Sequence, residues 1–334
     1  MKKCTAILLL LAMLLSGCAA ATQQHNATYL DLFDTVTTVI GGGTAAQFRQ
    51  NAQNIYEALA RYHRLFDIYN DYDGIANLKT VNDNAGVAPV KVDPAVIELL
   101  LTCKEYYVLT GGKVNAAMGS VLRLWHEART AGLNDPENAR LPDAEALVKA
   151  AEHTNMDNVI IDEKASTVFL ADPEMSLDVG AIAKGWAAQR VAENAPAGML
   201  ISVGGNVCAT GAKADGSFWR IGVQDPAGGG EYLQRLRLEK GAAVTSGDYQ
   251  RTYTVEGKQY HHIIDPASQM PERLWRSVTV VCPDSALADA LSTALFLLPL
   301  EQGQALAERS GAQALWYDAA GNEYMTPGFR ELID

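Results

Sequence analysis

The chain has 334 residues, 48% of them apolar and 20% charged, which is the balance of an ordinary globular protein with enough length for a sizeable core. With 27 Lys and Arg against 39 Asp and Glu, the net charge is −12. That excludes nucleic acid or an anionic membrane surface as the main partner, because both reward basic clusters that this sequence lacks.

The first segment reads as a targeting signal rather than part of the fold. Lys2 and Lys3 precede the apolar run "AILLLLAMLL", too short to span a bilayer comfortably, and "LSGC" follows with small residues before Cys18. This pattern resembles a bacterial lipobox. Residues 1–17 are then a lipoprotein signal peptide, Cys18 the lipidation site, and residues 18–28 a polar tether; an ordinary secretory cleavage near Ala19–Ala21 is the alternative. The expected location is the extracytoplasmic face of the cell membrane, by lipid anchor. The domain proper runs over 29–334. Its three cysteines, Cys103, Cys208 and Cys282, are widely spaced among apolar neighbours and suggest small buried hydrophobes, not a disulfide framework or a zinc site.

In chain order, "TVTTVI" followed by "GGG" predicts a strand and turn. Residues 44–66 carry Phe48, Ala52, Ile55, Leu59, Tyr62 and Phe66 at helical spacing. "NDYDGIANLKTVNDNAG" reads as a surface loop, and Asp93–Pro94 as the capped start of a helix reaching Leu109. "GSVLRLWHEAR" is helical, "LNDPENARLPDAE" a connecting loop, and "NVIIDEKASTVFLA" two short strands. Further strands are predicted at "GMLISVGG", "NVCATG", "WRIGVQ", "LQRLRLE", "AAVTSG", "QRTYTV" and "SVTVVC", with helices at 285–298 and 301–310. Helices and hairpin-like strands in separate blocks favour an α+β fold of mixed or antiparallel sheets with packed helices over a doubly wound parallel sheet.

Four stretches could carry chemistry. In the helix after Asp284, Ser285, Asp289, Ser292 and Thr293 share one side of an apolar rod. Such a stripe is either a partly exposed polar face or a magnesium site, since Mg²⁺ accepts few protein oxygens and borrows phosphate oxygens for the rest. "SLDVGAIAKGWAAQRV" places Asp178 and Lys184 around a glycine turn that enters a helix, a geometry suited to phosphate and also to a simple capped helix. "LISVGGNVCATG" is a glycine turn between strands. In "AVTSGDYQRTYTVEGKQYHHIIDPASQMP", His261 and His262 at adjacent strand positions would face opposite ways, so at most one enters a site. No H-E-x-x-H or Cys/His ligand set is present, so zinc is not expected.

In this order, "LFDTVTTV", "FDIYNDYDGIANL", "TGGKVNAAMGSVLRLW", "LDVGAIAKGWAA", "SVGGNVCATG", "WRIGVQDP", "TSGDYQR", "HHIIDP" and "ADALSTALF" resemble the ApbE family, the FAD:protein FMN transferases. The resemblance runs from about residue 31 to the end. It implies two intimately joined subdomains around a central FAD cleft, and Mg²⁺-dependent splitting of the FAD pyrophosphate. FMN would pass to a threonine, sometimes serine, hydroxyl of an exported or membrane-bound redox protein, with AMP released. It also implies roles: Asp289, Thr293 and the Ala181 carbonyl as metal ligands, Phe33 and Tyr69 on the flavin side, and Lys113, Val114 and Asn115 at the nucleotide. Asp178, Lys184 and Ile264 would complete the FAD cleft, and His262 would activate the acceptor hydroxyl, with a site carboxylate as the alternative base. A neutral imidazole can accept that proton near pH 7, and Asp265, three residues on, could orient it. Two readings remain beside this one, an FAD pyrophosphatase and a non-catalytic FAD-binding lipoprotein. Two departures stand out: Asn115 where the family often has Asp, and Gln269 in place of the glycine of "DPxTGxP". If that turn needs φ > 0, its shape would have changed.

Overall fold

The structure is a computed structural model and describes residues 23–230 and 232–334. The signal segment and Cys18 lie outside the described residues. Strand β1 (His25–Leu32) begins inside the stretch read as a tether, a correction: its first residues, "HNAT", pair with β2 (Thr35–Gly41) at the sheet edge, where the half-buried positions are His25 and Ala27 and no large apolar side chain marks the alternation.

Helix α1 (Ala45–Phe66) is set by a Thr44/Gln47 capping box and buries Phe48, Ala52, Ile55 and Leu59. The predicted loop after it contains a short helix, α2 (Leu78–Asp83), nucleated by an Asn77/Thr80 box; the Asn/Asp-rich composition that signals turns also supplies caps. β3 (Val90–Lys91) leads to α3 (Pro94–Leu109), capped by Asp93, then α4 (Gly119–Asn134) and α5 (Ala144–Ala151), whose cap Asp143 and first two residues are the end of the predicted connecting loop. β4 (Val159–Asp162) and β5 (Thr167–Leu170) form a small sheet with β3. After α6 (Ala183–Asn194) come β6 (Met199–Val203), β7 (Asn206–Thr210), the β8–β9 hairpin (Trp219–Gln224, Tyr232–Leu238) and β10 (Lys240–Gly247). The chain ends with β11 (Tyr253–Val255), β12 (Lys258–Tyr260), β13 (Ser277–Cys282), α7 (Ser285–Phe296), α8 (Leu300–Arg309), β14 (Gln313–Tyr317), β15 (Glu323–Met325) and α9 (Pro327–Glu331).

Eight strands make one antiparallel sheet in the order β1-β2-β6-β7-β10-β13-β14-β15. The α+β expectation holds. Helix α7 lies against β10 and β13, α6 packs on α7 and on β6 and β7, and the largest core forms around them, with Trp186, Leu291, Leu295 and Phe296 almost fully enclosed. A separate apolar cluster (Met118, Val121, Trp125, Leu147, Tyr253, Tyr260 and Ile264) binds α4 and α5 to the β11–β12 hairpin. Cys103, Cys208 and Cys282 are free and buried, and among the described residues no helix is long and apolar enough to cross a membrane.

Candidate active site

A cleft of ≈ 670 Å³ opens beside the α4/β11–β12 cluster, lined also by the start of α6, the Asp289–Thr293 face of α7 and the end of β10, within the range of small-molecule sites. Asp289 is at its floor. The α7 rod is held in register by its Asp284 cap, which accepts from the Leu287 N–H, and this aims Asp289 and Thr293 into the cleft. The rest of the polar stripe turns inward: Ser292 is fully buried, donating to the Asp289 carbonyl and bonding Ser246, and Ser285 is fully buried too.

Asp289 is 4% exposed, and three features offset the desolvation of its carboxylate. The Gly185 N–H, in the first turn of α6, donates to Oδ2 at 2.8 Å, so the acid also faces a helix N-terminus. Lys184 Nζ lies 3.7 Å away. The Asn206 amide faces the carboxylate, yet its nitrogen is beyond direct hydrogen-bond reach of any acceptor among the described residues. Burial still wins and raises the Asp289 pKa above the ordinary value, against the lowering by Lys184 and Gly185. The contact is possible only because residue 185 is glycine. A Cβ there would stand 2.3 Å from the Ser285 carbonyl and 2.5 Å from Asp289 Cβ.

Asp178 closes a tight turn by accepting from the Gly180 N–H at 2.8 Å, and Lys184 Nζ donates to the Gly180 carbonyl at 3.0 Å. Ala181, between them, lines the same cleft. Asp178, Asp289, Ser246 and Thr293 bring carboxylate and hydroxyl oxygens to this cleft. Among the described residues no three His, Cys, Asp or Glu side chains form a metal-ligand cluster.

The loop after α3 supplies the next wall. Gly111 and Gly112 take positive φ, ending the helix, and Lys113, Val114 and Asn115 follow into the cleft. Lys113 Nζ donates to Asp265 Oδ1 at 2.7 Å. Asp265 is therefore tied to Lys113 and to the Ala267 N–H, not to His262 as expected from sequence. Asn115 uses both ends of its amide, donating to the Thr154 carbonyl at 2.9 Å and accepting from the Ala117 N–H at 2.8 Å. A carboxylate could not make the first bond.

Both histidines line the cleft, contrary to the alternation argument, because β12 ends at Tyr260 and the period of two ends with it. Their duties differ. His261 Nε2–H donates to the Glu272 carbonyl at 2.6 Å while Nδ1 accepts from the Ile263 N–H, so both nitrogens are engaged. His262 Nδ1–H donates to the Gln250 carbonyl at 3.2 Å, which leaves Nε2 as a lone-pair base. Burial, then the nearby Arg251 charge, push its pKa down to about 3, so it is neutral at pH 7. The turn that follows keeps its shape despite the missing glycine. Gln269 holds φ 58°, its side-chain amide donates to the Pro266 and Ala267 carbonyls, and its own carbonyl accepts from Trp125.

Ile264 is buried on the apolar side with Met118, Leu122 and Trp125. Tyr69 stands 52% exposed at the rim, stacked on His126 with ring centroids 5.2 Å apart. Phe33 does not line the cleft; its neighbours Asp34 and Thr35 do. Sequence reasoning missed His126, Arg129 and Arg251. Arg129 and Arg251 form no ion pair among the described residues; burial and then the Arg251 charge lower the Arg129 pKa from its ordinary value. The i,i+3 spacing of His126 and Arg129 on one helix face, opposite "TSGDYQR", was the available signal.

The cleft thus has an apolar wall, a polar floor around one buried acid, and a base with a free nitrogen. An α+β frame with such a cleft is the architecture of an enzyme. The ApbE family model matches residues 33–316, and the chain belongs to the ApbE family. A curated FAD:protein FMN transferase of Treponema pallidum is 32% identical over 292 residues, covering 81% of this chain and 78% of its own. One of Klebsiella pneumoniae is 32% identical over 272 residues, covering 79% and 81%. The crystal structure of the ApbE protein from Thermotoga maritima superposes with TM-score 0.83 at 29% identity, covering 93% of this chain and 100% of that one.

Proposed function

We propose that this protein transfers FMN from FAD to a threonine or serine hydroxyl of an exported or membrane-bound redox protein, with Mg²⁺ and with release of AMP. The observation that carries this reading is the meeting of Asp289, Thr293, Ala181, Lys184 and His262 in one cleft with an apolar wall. A dinucleotide needs both halves: apolar surface for its rings, and charge neutralisation for its diphosphate in a protein of net charge −12.

The donor set fits Mg²⁺. A buried carboxylate whose ionised form is only partly offset gains from a cation, and hydroxyl and carbonyl oxygens suit a hard ion that keeps other positions for phosphate. Asp289, Thr293 and the Ala181 carbonyl would hold it, and when bound it would neutralise charge developing on the phosphate oxygens. Lys184 adds a second positive charge at that end, and the polar groups of Asp178, Lys113 and Asn115 edge the nucleotide.

The acceptor oxygen attacks the FMN phosphorus and its proton passes to His262 Nε2, while the bond from that phosphorus to the bridging oxygen breaks and AMP leaves. The Gln250 carbonyl fixes the tautomer that makes this possible. A base held near pKa 3 is weak, but the diphosphate brings negative charge beside it, which raises the affinity for a proton when it is needed. The "LSGC" stretch supports acylation at Cys18 and an extracytoplasmic location, the compartment of the proposed acceptors.

The test is incubation with FAD, Mg²⁺ and a threonine-bearing redox subunit, followed by denaturing electrophoresis. Flavin fluorescence on the acceptor band is expected. Free FMN and AMP with a dark band would make the enzyme a pyrophosphatase, and unchanged FAD would make it a carrier.

A further inference from the structure

The turn joining β1 to β2 has a conformation its sequence does not favour. Leu32 pairs with Thr35, so Phe33 and Asp34 form a two-residue hairpin turn, and both are left-handed, with φ 53° and 50°. Such turns normally recruit Asn or Gly; a phenylalanine there is strained. The strain sits at a useful place, because Asp34 and Thr35 are part of the cleft wall.

One side chain on α1 holds the turn. His63 Nδ1 accepts from the Phe33 N–H at 3.2 Å, across 30 residues of sequence, and the Phe33 ring meets the His63 ring edge-on at 5.5 Å. With Nδ1 an acceptor, the proton is on Nε2, which points to the Tyr72 hydroxyl at 3.4 Å. Tyr72 in turn donates to Asp67 Oδ2 at 2.8 Å. The relay has a single direction, each group donating to the next. Asp67 is also the hub for Tyr69, accepting its N–H on Oδ1 at 2.6 Å. Two parts of the cleft rim, the Phe33–Asp34 turn and the Tyr69 platform, are therefore tied to one buried carboxylate.

We infer that His63 is a positioning residue: through Tyr72 and Asp67 it locks the strained Phe33–Asp34 turn in register with Tyr69, and so preorganises one rim of the cleft for FAD. The inference rests on the reading that the cleft takes FAD. His63 itself is outside the cleft lining and touches no reacting atom. Without the lock the turn can leave the left-handed region, and binding must select the competent fraction.

The experiment is FAD binding by flavin fluorescence together with steady-state transfer, at a temperature well below unfolding. His63→Phe keeps the ring contact with Phe33 and removes the acceptor. It should raise Kd and KM for FAD about tenfold, equivalent to ~1.4 kcal/mol, with kcat at saturating FAD within twofold of wild type. His63→Gln, which retains an acceptor, should recover most of the affinity. Tyr72→Phe, which deletes one hydroxyl from a half-exposed position, should shift Kd in the same direction by less. Wild-type Kd in both His63→Phe and Tyr72→Phe would overturn the inference. So would a His63→Phe defect that appears in kcat alone or that Gln does not relieve. Failure of the wild-type protein to bind FAD would instead remove the functional reading beneath it.

Discussion

Gly185→Ala tests whether the α6–α7 contact is what holds Asp289 in place. Three effects compete. In a helix interior, alanine is favoured over glycine by about 0.5–1 kcal/mol, and less in the first turn, where residue 185 sits. Against this, the new methyl would lie 2.3 Å from the Ser285 carbonyl and 2.5 Å from Asp289 Cβ. Side-chain carbons are not found within 3.0 Å of such atoms, so the helices must separate by about 0.7 Å. Overpacking of this kind costs about 1–3 kcal/mol. The separation also stretches the 2.8 Å bond from the Gly185 N–H to a buried carboxylate, a charge-assisted bond worth about 1.5–3 kcal/mol. Destabilisation wins, by about 2–4 kcal/mol, or roughly 3–6 °C in Tm for a chain of this size. Thermal unfolding by circular dichroism reads the first part, and transfer rate against Mg²⁺ concentration reads the second, with a rise in the Mg²⁺ needed for half-maximal rate. A Tm at or above wild type would show that propensity prevailed and that the helices are not in this contact. A lower Tm with unchanged Mg²⁺ dependence would detach Gly185 from the site.

If Asp289 holds the proposed metal, Asp289→Asn should lower transfer by roughly 100-fold or more, because the charge neutralisation the metal would supply is lost. In metal-free buffer at pH 7–8 the same variant should melt at or above wild type: burial raises the folded pKa, so the ionised acid opposes folding above that value, and the gap should close as pH falls through it. A clearly lower Tm at neutral pH would refute that sign. His262 has a folded pKa of about 3 against an ordinary 6.5, so the unfolded chain binds a proton that the fold rejects between them, and stability should drop as pH falls from 6.5 toward 3. Tm measured from pH 4 to 7 should therefore fall less steeply in His262→Gln, and parallel curves would count against the assignment. Asn115→Asp sets a carboxylate against the Thr154 carbonyl and should cost about 1–3 kcal/mol, read as a lower denaturant midpoint.

The sequence carried the architecture where burial writes a pattern and failed where it does not. The apolar stripe of 44–66 and the run "SVTVVC" announce α1 and β13 because one face or both faces are enclosed. β1 is harder to read, since on this edge strand the inward positions are His25, Ala27 and Tyr29, none fully buried, while the outward Leu30 is exposed. α2 and α5 are hidden by their own caps: Asn77 and Asp143 look like turn residues until the segment that follows is seen to be helical.

The site divides along the same physical line. Asp289 is legible because it breaks a rule, an acid inside an apolar helix, and the rule breaks only where something offsets the charge. What offsets it is not legible, because the Gly185 N–H and Lys184 come from a helix about a hundred residues earlier and meet α7 only through tertiary packing. Asp265 shows the converse error. It lies near His262 in sequence, yet the fold commits it to Lys113, from 152 residues away, and leaves a backbone carbonyl to orient the base. A carboxylate beside His262 would have raised its pKa; a neutral carbonyl fixes the tautomer and adds no full charge. In the proposed reaction His262 would then respond to the charge of whatever enters, and an anionic diphosphate is the ligand that would bring it to strength as a base.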